Sequence, residues 1–273
     1  MTTTPGSVYR FDHPRLSDIM NDMFIRSGEL APGDTVPPFA LATTDGRCFS
    51  TADLQQGGRP VVVVFGSRTC PVTESAVPGL KALHARHKDA FRFVLVQVRE
   101  AHPGAAIPQP HTAPQKLARA MALQARHDVP FEVAIDDLDG TWHRALGARP
   151  NSAFVIDPDG VILFRAQWAN ETAAIAEALD ALEAGSRPPR PTVTRTVWAV
   201  TRAVGYMAPV MRAAGRGALL DTWKVAPPMG LMMMTSSLFG FLPAHRRGWP
   251  TMAVMFAAVA GLAALFFHQW SRS

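Results

Sequence analysis

The chain has 273 residues, with 27 Lys and Arg against 22 Asp and Glu, and 48% of it is hydrophobic. That length buries one sizeable core and leaves an extra segment over, and two cysteines, Cys48 and Cys70, exclude a disulfide framework. No interleaved basic and aromatic motif points to nucleic acid; a basic stretch beside an apolar tail, with Met, Ala and Phe dominating from Val225 onward, suits an anionic membrane surface instead.

Residues 1–30 form a mixed, polar extension with one short helix at 15–25, to which no chemistry is assigned. Asp12, Asp18 and Asp22 interrupt it, so it holds no apolar core of a secretory signal, and the first domain is expected in a reducing cytoplasm. Residues 31–54 read as two short strands joined at Asp45-Gly46, a hairpin signal, with Cys48 as a small half-buried strand residue.

The central stretch is residues 60–71, Pro-Val-Val-Val-Val-Phe-Gly-Ser-Arg-Thr-Cys-Pro. An apolar β-branched run, a Gly-Ser loop and then Cys-Pro before a helical pattern describe a buried strand that delivers Cys70 to a helix N-terminus. Pro71 suits the first turn because its missing N–H has no partner to lose, and the helix dipole favours a thiolate there. The helix runs over 71–87, with Ala76, Leu80 and Leu83 on its apolar stripe, and a second strand follows at 91–98. This is a β-α-β unit with parallel strands, whose carboxyl ends share the edge where open α/β sheets bind ligands. Cys70 follows the first strand, and Glu100-Ala101-His102-Pro103 follows the second.

After a Pro-rich loop come a helix at 115–127, a strand at 131–135 and a turn at 136–140. Asp136, Asp137 and Asp139 are read as turn and cap residues, and no metal site is assigned. A short helix at 142–146, a hairpin of 153–156 and 161–164, and a helix at 171–182 complete an α/β, thioredoxin-like three-layer sandwich with an N-terminal β-hairpin, spanning residues 31–185. Residues 186–224 read as a Pro-rich linker and a basic amphipathic helix: Val193, Val197, Val200, Val204 and Met207 fall on one face, Arg195 and Arg202 on the other, as on a membrane surface. Residues 225–273 form an apolar membrane-associated tail. Residues 251–267 are free of charge between Trp249 and Trp270, which makes 250–268 a candidate transmembrane span, whereas 225–242, weakened by Pro227-Pro228, is expected to be interfacial or re-entrant.

Cys70-Pro71-Val72-Thr73 lacks the second cysteine of a dithiol motif, and Ser67 stands where a peroxiredoxin site has threonine. Phe65-Gly66-Ser67-Arg68-Thr69-Cys70-Pro71 instead resembles the Phe-Gly-Ser-x-Thr-Sec-Pro core of the iodothyronine deiodinases, with cysteine in place of selenocysteine. Glu100-Ala101-His102-Pro103 is similar to that family's Glu-Ala-His-Pro, and Ile107-Pro108-Gln109 with His111 is similar to its Ile-Pro-Gln-His. The match continues more loosely through residues 135–140 and Gly147-Ala148-Arg149-Pro150; Ser152 and the segment 166–170 depart from the family's pattern.

The resemblance implies Cys70 as the attacking chalcogen, Ser67 and Thr69 as its hydrogen-bonding neighbours, and Glu100, His102 and His111 as a proton-relay and substrate-binding set. Pro150 occupies the place before the late hairpin where thioredoxin folds carry a cis proline, so a cis Arg149–Pro150 bond facing Cys70 is expected. The expected activity is that of a deiodinase-like thiol oxidoreductase with one nucleophilic cysteine, no bound cofactor, a small-molecule or disulfide substrate, and an external thiol or thioredoxin-type reductant. The alternatives are a peroxiredoxin-like thiol peroxidase and a membrane-tethered, non-catalytic binding module.

Overall fold

A computed structural model describes residues 9–26, 28–147 and 149–272; the first eight residues and Ser27 of the extension, Ala148 and Ser273 lie outside the described residues. In chain order the elements are α1 (Leu16–Asp22), β1 (Ala40–Thr43), β2 (Cys48–Ser50), α2 (Thr51–Gly57), β3 (Val61–Gly66), α3 (Pro71–His87), β4 (Arg92–Gln97), α4 (Ala113–His127), β5 (Glu132–Ile135), α5 (Thr141–Ala145), β6 (Ala153–Ile156), β7 (Ile162–Ala166), α6 (Thr172–Glu183), β8 (Thr192–Val193), α7 (Thr196–Ala214), α8 (Arg216–Val225), α9 (Pro227–Leu238) and α10 (Gly248–Trp270).

The strands form one sheet in the order β2-β1-β5-β4-β3-β6-β7-β8. β3 pairs in parallel with β4, and β4 with β5, while β6 runs antiparallel to β3. Every residue of β3 is buried, as a strand covered on both faces must be. Alternation along it divides the core: Val62 and Val64 pack with Leu80, Leu123 and Ile175 on the side of α3, α4 and α6. Val61, Val63 and Phe65 pack with Phe49, Leu54 and Trp142 on the side of α2 and α5. This is the thioredoxin-like sandwich with its N-terminal hairpin. Asp136 accepts from the N–H groups of Asp137, Trp142 and His143, a cap for α5.

After β7, two features differ from the sequence reading. Thr192–Val193, read as linker and helix, pairs with β7 as an edge strand. The helix after it is not free for a membrane surface along its length: Ala199, Ala203, Val204 and Met207 of α7 are buried, and the helix docks onto α3 and α9. Polar locks explain the preference. Asn170 Nδ2 donates to the Ala199 carbonyl at 2.9 Å and to Ser75 Oγ at 2.9 Å. Arg202, expected to face away, donates to the Asn170 carbonyl and to Glu171. The segment that departs from the deiodinase pattern thus seats α7.

α9 is only 12 residues long and packs against α7, α8 and α10; at about 1.5 Å per residue it is too short to cross a bilayer. α10 starts in the domain and then leaves it. A Cβ on Gly248 would lie 1.9 Å from the Thr201 carbonyl oxygen, and one on Gly205 1.9 Å from that of Ala244, so glycine is what lets the two chain segments cross this closely. Beyond its first turns α10 is exposed, with 23 residues in all. Within the helical stretch 244–270 the most apolar 18-residue window has a mean hydropathy of 2.0 and only 6% of it is buried, and the helix is long and apolar enough to cross a membrane.

Candidate active site

β3 ends at Gly66, and the chain turns through Ser67, Arg68 and Thr69 into α3, where Cys70 is the N-cap and Pro71 occupies the first turn. The thiol is 4% exposed. Asn151 Nδ2 lies 2.7 Å from its Sγ; the sulfur accepts no cap hydrogen bond from α3, but the first-turn amides of Val72 and Thr73 lie near enough to favour negative charge on it. Burial nevertheless pushes the thiol up from its ordinary value, and these donors only partly offset it. The thiol is therefore protonated at neutral pH in this closed arrangement, and the helix dipole does not by itself make a resting thiolate.

The residues expected around Cys70 separate into three groups. Ser67, Thr69 and Glu100 form a polar web behind the cysteine. Thr69 donates through its N–H and its hydroxyl to Glu100 Oε2, at 2.9 and 2.7 Å. Gln97 Nε2 donates to Oε1 at 3.1 Å, and Gln109 exchanges two bonds with the Glu100 backbone. Ser67 Oγ accepts from Ala101 N–H, and Thr69 Oγ1 from His102 N–H. Glu100 is fully buried, and burial pushes its carboxyl up. It ties the two loops at the carboxyl edge together rather than lining the cavity in front of the thiol.

His102 and Pro150 form the second group, both on the wall of that cavity with Cys70. Burial lowers the His102 imidazole to about 4, so the ring is neutral at neutral pH and forms no imidazolium–thiolate pair. The Arg149–Pro150 bond is trans, against expectation: no cis peptide occurs among the described residues. The Arg149 carbonyl instead accepts from His143 Nε2 at 2.8 Å, and the amide of the next residue, Asn151, takes the place against the sulfur.

His111 stands apart. Its ring is 64% exposed, 4.0 Å from Asp12, and it lines a separate cleft with Tyr9 and Gln109. One further residue after Gln109 carries it off the edge.

Three contributors have no signal in the motifs. Asn151 is held by Thr73, whose hydroxyl donates to its Oδ1 at 2.8 Å and accepts from Ser67 N–H. The N-terminal segment, given no chemistry, covers the cysteine: Phe11, Ile19 and Met23 line the cavity. It is anchored by Tyr9, bonded to His143 and Arg99, and by Glu29, which pairs with Arg149 and Arg165. From the other side come Trp168, Val200 and Met207, with Met229 and Met232 of α9. The cleft between them has a volume of about 150 Å³ and its lining is almost wholly apolar.

Cys48 is exposed on β2, with β1, β5 and β4 between it and β3. At about 4.8 Å per strand that is about 19 Å across the sheet, so it cannot bond Cys70 within one folded chain. Among the described residues no cluster of three or more His, Cys, Asp or Glu is placed to hold a metal.

Thyroxine 5-deiodinase of Aquarana catesbeiana is 30% identical over 151 residues, 52% of this chain and 55% of that protein. Thyroxine 5-deiodinase of Gallus gallus is 30% identical over 119 residues, 40% of this chain and 46% of that protein. The chain thus spans about half the length of these curated relatives. An uncharacterized conserved protein from Geobacillus kaustophilus superposes with a TM-score of 0.48 at 20% identity, covering 62% of this chain and 90% of its own. The profile of the Redoxin family matches residues 31–182, which is more than half of the 273 and contains the sheet edge, Cys70 and its polar web; the chain belongs to the Redoxin family.

Proposed function

We propose that the protein is a membrane-anchored thiol oxidoreductase of deiodinase-like type that works through Cys70 alone. The observation that carries this reading is the sulfur itself: a thiol at a helix N-terminus, hydrogen-bonded by Asn151 and beside the first-turn amides of α3, in front of an apolar cavity. Those donors stabilise negative charge as it develops on sulfur during attack. With a hydroperoxide, sulfur bonds to one oxygen as the O–O bond breaks, giving a sulfenic acid and an alcohol. With a disulfide the product is a mixed disulfide and a free thiol. With an aryl iodide, iodine passes to sulfur and a proton to carbon. Each oxidised sulfur is returned by an external thiol, because Cys48 lies on the far side of the sheet. His102 shares the cavity wall with Cys70, but the burial that lowers its imidazole to about 4 leaves it too weak a base for a thiol that burial raises, so in this reading the thiol proton passes to the leaving oxygen, sulfur or carbon of the substrate. α10 supplies the anchor by its length and its charge-free surface.

Mass spectrometry of full-length protein exposed to hydrogen peroxide, a small disulfide and an aryl iodide tests the reading. A Cys70 adduct with one of them, removed by added thiol, is the expected result. Adducts on Cys48 only, with alkylation of Cys70 indifferent to Asn151→Ala, would leave a non-catalytic binding module.

A further inference from the structure

The helices that close the cavity over Cys70 turn apolar residues outward as well as inward. On and just after α1, Ile19 and Met23 face the cavity, while Leu16, Met20 and Phe24, at four-residue spacing, are 55%, 49% and 62% exposed. On α9, Met229 and Met232 face the cavity while Leu231, Met234 and Leu238 are exposed. Scattered exposed apolar residues need no explanation, but a stripe on each of two closing elements does. The two stripes are connected to the apolar helix. Phe24 shares a groove with Val197 and Trp198 at the start of α7. The Trp198 ring then meets that of Trp249, at the start of α10, edge to face at 5.1 Å. An indole pair where a charge-free helix leaves a domain is what a bilayer interface favours.

We propose that α1, the start of α7 and α9 seat on the bilayer around α10, and that the cavity over Cys70 takes its electrophile from the lipid phase. This rests on the reading of Cys70 as a nucleophile. The substrate class follows from the cavity. It has the volume of an apolar cavity that takes up benzene, so it accepts a ring or a short alkyl head. It presents no unpaired charge to a polar substrate: Asp18 is bonded by Arg15 and Asp22 by Arg99. The electrophile is therefore uncharged, lipid-soluble and presents an apolar group of about that size to sulfur.

The two cysteines allow an internal comparison. Full-length protein in phosphatidylcholine vesicles is treated with N-dodecylmaleimide or with a sulfonated maleimide, and labelling of Cys70 and Cys48 is read peptide by peptide. Each reagent adds its C=C bond across the S–H bond, so no oxidant is involved. The dodecyl reagent is expected to raise the Cys70-to-Cys48 labelling ratio at least about tenfold over the sulfonated one, the least that burial of several methylenes supports. Met232→Trp, which fills the cavity, should lower that ratio, and Met20→Glu with Phe24→Glu should lower it without changing labelling in detergent. Equal ratios for the two reagents in the unmodified protein would overturn the proposal whatever the variants do. Failure of Cys70 to react with peroxide, disulfide or iodide in detergent would instead remove the catalytic reading and leave the lipid route standing.

Discussion

Cys70 lies between two unlike surroundings. Behind it, the loops after β3 and β4 are joined by hydrogen bonds through Thr69, Glu100, Gln97 and Gln109, each buried. In front of it, α1, α7 and α9 contribute side chains that touch mainly through carbon. Directional bonds in a dry setting hold a sulfur and its donors to one geometry, whereas apolar contacts tolerate sliding and repacking. The back of the site sets what the thiol is; the front sets what reaches it.

The comparison breaks most completely at the sulfur. Cys70→Ser keeps the shape of both halves and should lower turnover at least about a thousandfold, because a hydroxyl is a far weaker nucleophile; turnover near the unmodified level would remove the assignment. Next in size is Glu100→Ala, which strands two Thr69 donors and one from Gln97 in a buried place and should cost about 3–5 kcal/mol in chemical unfolding. Glu100→Gln, which keeps an acceptor, should cost clearly less, and an equal loss would mean that the carboxylate charge rather than the bonding matters. Asn151→Ala removes one donor from Sγ and should raise the thiol further, moving the profile of alkylation rate against pH to higher pH; an unmoved profile would remove Asn151 from the site.

At the front, Gly248→Val forces a side chain against the Thr201 carbonyl and should loosen the α7–α10 crossing, detected as faster proteolysis between residues 240 and 250, with the sheet core unaffected. The smallest expected effect is electrostatic. His102 titrates at about 4 in the fold against 6.5 for a free imidazole, so the unfolded chain protonates first. Its contribution is complete above pH 6.5 and is lost as pH falls through about 4. Asp22, raised to about 6 from 3.8, acts oppositely, its contribution being present below pH 3.8 and lost as pH rises through 6. His102→Gln should therefore make the melting temperature fall less between pH 6.5 and 4, while Asp22→Asn should make it fall more.

The residue pattern by itself determined the strand, the helix and the place of Cys70 between them, because each depends on its near neighbours: a β-branched run, a loop with glycine, a proline fit for a first turn. The parallel pairing of β3 with β4, and with it the approach of Glu100 and His102 to the cysteine loop, followed from the same local periods. Only the tertiary structure decided that Asn151 rather than a cis Pro150 meets the sulfur, that His111 faces another cleft, and that residues 9–24 and α7 enclose the thiol. Those contacts join residues between about 50 and 140 positions apart in the chain, across surfaces whose sequences carry no repeating signal. Val197 of the predicted apolar face is left exposed, and for Val204 and Met207 the amphipathic pattern of α7 indicated burial but not the surface that provides it. That choice was made by Asn170 and Arg202, two polar side chains whose partners exist only once the sheet and α3 have assembled.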